Sequence, residues 1–298
     1  MATITHADAD TTHRVLITGL SGSGKSTLAA ELSTKYKLIW FDLENSKDVL
    51  MKLTPEQLAR VNYIRIPDSA VYPIASQTLM QLFKYGVANI CDKHGKHECA
   101  ICKKENAPTT KVNFEELTPD TFIVIDSLTQ LSASILAHVT KDKPVDYKPQ
   151  LDDWGSLRKF SEFFASQLQA CPHNLVCTSL AVETELEDGR IKLVPSFGSK
   201  DMSSKIAKAF SDVIYIEVKN KKHVAVSSSV ASNTVLAKSR SDFVIESLGD
   251  LSLIPLFDST QERHKQKTVS PVPKQATPQQ AAVNNLNTLL TSLKSKGK

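Results

Sequence analysis

The sequence predicts an α/β fold built on a mainly parallel sheet, and three observations carry that prediction. Apolar runs that read as strands alternate with helical patterns from residue 14 to about 258. Most of these runs are continuously apolar, as expected of strands covered on both faces. The first of them, Val15-Leu16-Ile17-Thr18, leads directly into a glycine-rich turn and then a helical stretch, the order in which a strand presents a phosphate-binding loop.

Taken in order, residues 1–13 are polar with two aspartates and are expected to be unstructured. Strands are expected at 15–18, 38–42, 63–66, 122–125, 174–178 and 213–218, and helices at 26–35, 74–90, 128–139 and 154–169. Thr54-Pro55-Glu56 reads as an N-cap with proline at the first helical position. The stretch 182–194 reads as a hairpin around Asp188-Gly189, and short β-like pieces are expected from Val218 to Leu256. The core therefore spans 14–258, with a small insertion at 91–105. Beyond 259 the composition shifts to Gln, Lys, Pro, Thr and Asn, a flexible linker. It ends at 281–293, where Val283, Leu286, Leu289, Leu290 and Leu293 have helical spacing. So short a helix is marginal alone and suits folding on a protein partner.

Charge is unevenly placed. From 259 onward Arg263, Lys265, Lys267, Lys274, Lys294, Lys296 and Lys298 face only Glu262, so the tail carries more than the whole chain's net charge of +4. A basic tail suits loose contact with a polyanion or simple solubility. No apolar run approaches the ~20 residues of a membrane helix, and the N-terminus lacks the basic and apolar regions of a secretory signal. A cytoplasmic protein with no membrane partner is expected.

The run Gly19-Leu20-Ser21-Gly22-Ser23-Gly24-Lys25-Ser26-Thr27 fits the P-loop pattern. Its glycines let the backbone wrap a phosphate, Lys25 reaches the β- and γ-phosphates of a nucleoside triphosphate, and the Ser26 hydroxyl suits Mg²⁺. Phe122-Ile123-Val124-Ile125-Asp126 ends an apolar strand in an aspartate about a hundred residues later, the place of the acid that organises the metal shell. Ser127 follows it and suits a helix cap. The strand after the P-loop helix ends in Asp42-Leu43-Glu44, where a carboxylate can polarise an attacking water. Thr178 and Ser179 form the polar end of the 174–178 strand, and a resemblance to RecA-like ATPases implies that one of them senses the γ-phosphate. Late in the core, Lys238-Ser239-Arg240 pairs two cations suited to charge developing in phosphoryl transfer.

A second cluster is Cys91-x-x-His94 followed by Cys99-x-x-Cys102, with His97 as a rival to His94. Two short ligand pairs across a tight turn suit a structural, four-ligand zinc site. The other cysteines, Cys171 and Cys177, flank a buried-looking strand and read as small apolar fillers. Lysine-bearing loops lie at 141–149, with one tyrosine, and at 183–208. Basic loops with an aromatic suit single-stranded nucleic acid, although both loops also hold acids.

The order P-loop, Asp-x-Glu, strand-end aspartate, sensor strand and Lys-x-Arg resembles a RecA-core ATPase over about residues 14–255. It is similar, more closely, to the phage AAA-type nucleotide-binding proteins, whose pattern includes stretches like Pro195-Ser-Phe-Gly198-Ser-Lys200 and Ser211-Asp212-Val213-Ile214-Tyr215. That family includes single-strand annealing and recombination proteins. The resemblance implies an oligomeric, Mg²⁺-dependent ATPase acting on single-stranded DNA, with Glu44 positioning water and Lys238 and Arg240 completing a neighbouring subunit's site. Two other classes fit the P-loop: a small-molecule kinase, and a nucleotide-gated DNA-binding protein with little turnover. No Asn-Lys-x-Asp guanine motif is present, so ATP is the expected nucleotide.

Overall fold

A computed structural model describes residues 12–68, 72–144, 146–186, 189–227, 234–239 and 251–258. Residues 1–11, Arg240 and 259–298, including the expected helix at 281–293, lie outside the described residues. One eight-stranded sheet organises the described part, in the order β10-β9-β1-β7-β6-β2-β3, with β8 also paired to β7. These strands are β1 (Arg14–Gly19), β2 (Lys37–Asp42), β3 (Val61–Arg65), β6 (Thr121–Asp126), β7 (Asn174–Glu185), β8 (Ile191–Pro195), β9 (Asp212–Lys219) and β10 (Lys222–Val226). The six strands from β9 to β3 pair in parallel, while β8 and β10 join antiparallel. The sheet is thus α/β and mainly parallel, as the continuous apolar runs require.

Alternation along each strand divides two cores. Leu16, Ile39, Phe41, Ile123, Ile125 and Cys177 face one side, where α4 (Ile74–Tyr85), α6 (Leu128–Val139), α7 (Leu151–Ala170) and α8 (Lys200–Lys205) pack. Val15, Ile17, Leu38, Trp40, Phe122 and Val124 face the other, against Leu28 and Ala29 of α1 (Lys25–Glu31) and against Leu253, Leu256 and Phe257. Two single-turn helices, α2 (Lys47–Leu50) and α3 (Pro55–Leu58), bridge β2 to β3, and Thr54 caps α3 with a full capping box.

Three expectations change. The helix expected to run to residue 90 stops at Tyr85, because Gly86 takes φ 73° as a left-handed C-cap. The next residues form β4 (Val87–Cys91), which pairs antiparallel with β5 (Thr109–Asn113) outside the main sheet. Residues 254–258 are helical rather than β-like, since Leu253, Leu256 and Phe257 recur at helical spacing and bury one face. The fold also includes His13, which is buried, pairs with Asp212, and donates its backbone N–H to Asn174 Oδ1.

The described residues fall in one contact unit spanning 10–260. Among them no helix is long and apolar enough to cross a membrane.

Candidate nucleotide site and candidate metal centre

The P-loop joins β1 to α1 at the carboxyl end of the parallel strands, where open α/β sheets place ligands. Gly24 is the N-cap of α1 and has φ 94°, which a side chain adopts only under strain. No side chain caps this helix start, leaving backbone N–H groups directed at the loop. A Cβ on Gly24 would also lie 3.0 Å from the His223 ring. Gly24→Ala is therefore expected to weaken nucleotide binding by at least about tenfold while leaving the melting temperature within a few degrees. Calorimetric titration beside a thermal melt checks both values.

Three neighbouring strands bring the acids to the loop. Asp42 and Asp126 are register partners on β2 and β6, and both are buried. Strand β7 stands between β1 and β6, and its Thr178 hydroxyl donates to Asp126 Oδ1 at 2.5 Å. Ser26 Oγ donates to the same oxygen at 3.2 Å. Thus Ser26 and Asp126 share one small polar centre, with an alcohol oxygen and a carboxylate suited to a hard cation such as Mg²⁺. Lys25 Nζ donates to the carbonyls of Gly19 and Leu20 at 3.2 and 2.9 Å. Burial lowers its pKa, while the charges of Glu44 and Asp126 act in the opposite sense. The ammonium thus stands within electrostatic reach of both acids.

Glu44 is exposed at the rim, but its carboxyl is crowded by protein. Burial raises its pKa, with Asp126 and Asp42 adding to the rise, while the Ser127 hydroxyl and Lys25 lower it. Ser127 Oγ donates to Glu44 and accepts from the Gln130 N–H at the start of α6. The expected cap is present, and it also holds the acid.

Ser46 escaped the sequence reading. Its hydroxyl donates to Asp126 Oδ2 at 2.7 Å, and its N–H donates to Asp42 Oδ1 at 3.0 Å. Tyr63 OH donates to Asp42 Oδ2 at 2.6 Å. Asp42 is therefore the hinge of this turn, which swings Glu44 and Ser46 toward Asp126. Its signal was the aspartate ending β2 before Asn45, whose φ is 60°.

The remaining expected residues are placed differently. Ser179 Oγ bonds the carbonyls of Leu180 and Ser196, so Thr178 is the one that touches Asp126. Lys238 Nζ donates to the carbonyls of Ala207 and Phe210 at 2.9 and 2.6 Å. Arg240 lies outside the described residues. Tyr147 OH donates to Asp153, and its ring lies under Lys143 Nζ at 5.3 Å.

The second cluster gathers as one centre. Cys91 ends β4, His94 lies in the following turn, and Cys99 and Cys102 begin α5 (Ala100–Lys104). Their four ligand atoms all lie within 4.8 Å of one another. His94 Nδ1 is 3.2 Å from Cys102 Sγ and 3.6 Å from Cys99 Sγ, separations compatible with four ligands about one small soft cation. His97 stands outside this cluster, and its Nδ1 accepts the Asn89 N–H at 3.1 Å. The backbone N–H of Cys102 is the main cause holding the Cys99 thiol down to about 6.

The turn of this module is keyed to the core at Gly95. Its φ is 64°, and a Cβ there would meet Arg65 O at 2.6 Å and Ile66 Cα at 2.7 Å. Its carbonyl accepts from Thr78 Oγ1 at 3.0 Å. Arg65 O and Ile66 Cα are backbone atoms and cannot yield. Gly95→Ala is expected to cost about 2–4 kcal/mol of stability, read from the urea midpoint at unchanged slope.

Residues 11–241 match the family AAA_24, described as an AAA domain, and the chain belongs to it. Among solved structures it is similar to the assembled ATPase EscN of the enteropathogenic E. coli type III secretion system. That match has 14% identity and a TM-score of 0.37, over 69% of this chain and 43% of that one. EscN in complex with its central stalk EscO gives 12% identity and a TM-score of 0.41, over 94% of this chain and 60% of that one. The chain thus spans about half the length of those ATPases. No curated protein matches it.

Proposed function

We propose that this chain is a Mg²⁺-dependent ATPase that works as a homo-oligomer on single-stranded DNA, in recombination, annealing or repair. The observation that carries the ATPase reading is the convergence of Lys25, Ser26, Asp126 and Glu44 at one end of the sheet. Ser26 and Asp126 would hold the metal, which would supply neutralisation of charge on the phosphates. Lys25 exchanges two loop carbonyls for β- and γ-phosphate oxygens. Glu44 accepts a proton from the attacking water as the new P–O bond forms and the bond to ADP breaks. Water and ATP thereby give ADP and phosphate, with Glu44 returning its proton to solvent. Ser127 positions Glu44, and Thr178 on β7 holds Asp126 through its Oδ1.

The oligomer is supported by the open rim of the P-loop, where Leu20 is 53% exposed and a second copy would exclude water. In that assembly Lys238 and Arg240 serve a neighbour's phosphates, Lys238 leaving its two carbonyls to do so. The nucleic-acid reading is supported by exposed lysines at Lys141, Lys143, Lys200 and Lys208 and by the resemblance of the motif order. A kinase would need a second substrate site and a lid. The residues around Glu44 instead suit water. The zinc reading of the Cys/His centre is supported by its geometry and gives a structural role, because all four positions are protein ligands.

Phosphate release measured with and without Mg²⁺ tests the ATPase. Turnover that needs Mg²⁺ and is lost in Lys25→Ala, together with at least about tenfold of ATP affinity, is expected. Turnover that survives Lys25→Ala would overturn this site.

A further inference from the structure

A cleft of about 690 Å³ opens beside the P-loop and runs along α1. One wall is the α1 face with Thr27, Leu28 and Glu31, and the opposite wall is Ile216 and His223 from β9 and β10, with Ser252 beside them. Leu28 and Ile216 supply the apolar part of the lining, suited to a flat ring. His223 ties the cleft to the phosphate loop, its Nδ1 lying 2.8 Å from Ser23 O. From Lys25 to Glu31 the helix rises roughly 9 Å, about the span of a ribose and a base beyond the phosphates.

Glu31 is singled out in this cleft. Its Oε1 accepts from Ser252 Oγ at 2.7 Å. Its Oε2 is buried and has no hydrogen-bond partner among the described residues. A buried acceptor without a donor calls for one. A carboxyl with one oxygen engaged and one spare matches a single N–H donor. The amino group of adenine supplies that, whereas the paired N1 and N2 donors of guanine would need both oxygens.

We infer that this cleft takes the nucleoside and that Glu31 determines its specificity by accepting from the 6-amino group of adenine. This rests on the phosphate site proposed above and adds what the motifs leave open, namely how the base is chosen. Burial raises the Glu31 pKa, and Ser252 and the Leu253 backbone offset only part of that rise.

The test titrates the full chain with Mg²⁺ and three probes: ATP, purine riboside triphosphate lacking the 6-amino group, and inorganic tripolyphosphate. Wild type is expected to prefer ATP over the riboside analogue by about tenfold or more. Glu31→Ala should bring that ratio to within about twofold while leaving tripolyphosphate affinity unchanged. Glu31→Gln, which preserves an acceptor, should keep most of the ratio and serves if the alanine variant does not fold. An ATP preference unchanged in Glu31→Ala, or no preference in wild type, overturns the inference. Failure of tripolyphosphate to bind wild type would instead overturn the phosphate site itself.

Discussion

Replacing Glu44 by glutamine is expected to cut ATP turnover by about 10²–10⁴-fold, the usual contribution of a positioned acid or base. ATP affinity should stay within about threefold, since the substitution removes a proton acceptor and leaves Lys25 and the loop in place. The pH profile adds an independent sign. Glu44 works as the carboxylate, and burial raises its pKa, so the acid limb of kcat should lie above the ordinary carboxylate range. Ser127 lowers that pKa by its hydrogen bond. Ser127→Ala should therefore move the limb to higher pH, at a cost of about 1 kcal/mol for the lost α6 cap. Rapid-quench turnover across pH, beside equilibrium ATP binding, reads both effects. A Glu44→Gln protein that turns over at the wild-type rate would remove Glu44 from the chemistry.

Removing one ligand from the Cys/His centre carries the second large effect. Cys102 is fully buried and Cys91 and Cys99 nearly so, so their hydrophobic surroundings do not compensate a lost metal. The purified chain is expected to hold one equivalent of zinc, lost in Cys102→Ser. Binding energy at such sites is folding energy. The 87–113 module should therefore lose protection in hydrogen exchange, with melting lowered by several degrees. His97→Ala should keep its zinc, because His97 caps the Asn89 N–H instead. Zinc content by elemental analysis, equal in Cys102→Ser and wild type, would contradict the assignment.

Much of this architecture was legible because its signals are local. Continuous apolar runs marked five of the six parallel strands closely, and the glycine pattern marked the loop between β1 and α1. Spacing also gathered Cys91, Cys99 and Cys102, but it could not choose between two histidines three residues apart. That choice depends on the turn at Gly95, which fits only where the β3 backbone leaves room. The β4–β5 hairpin was hidden because residues 87–91 continue the apolar pattern of α4, and only the conformation of Gly86 separates them. Ser46 and the register of Asp42 with Asp126 were out of reach for a different reason. They depend on β2 pairing with β6, strands some eighty residues apart in the chain. The inward turn of Lys238 likewise depends on its antiparallel bridge to Val213, a contact no local pattern specifies.

The measurement that bears most directly on the whole reading is the ATP hydrolysis rate of the full chain with and without single-stranded DNA, at low and moderate salt. A Mg²⁺-dependent rate that DNA stimulates, with the stimulation falling steeply between about 50 and 200 mM salt, is the predicted result. A rate that is unmoved by single-stranded DNA at both salt concentrations would contradict the assignment to DNA.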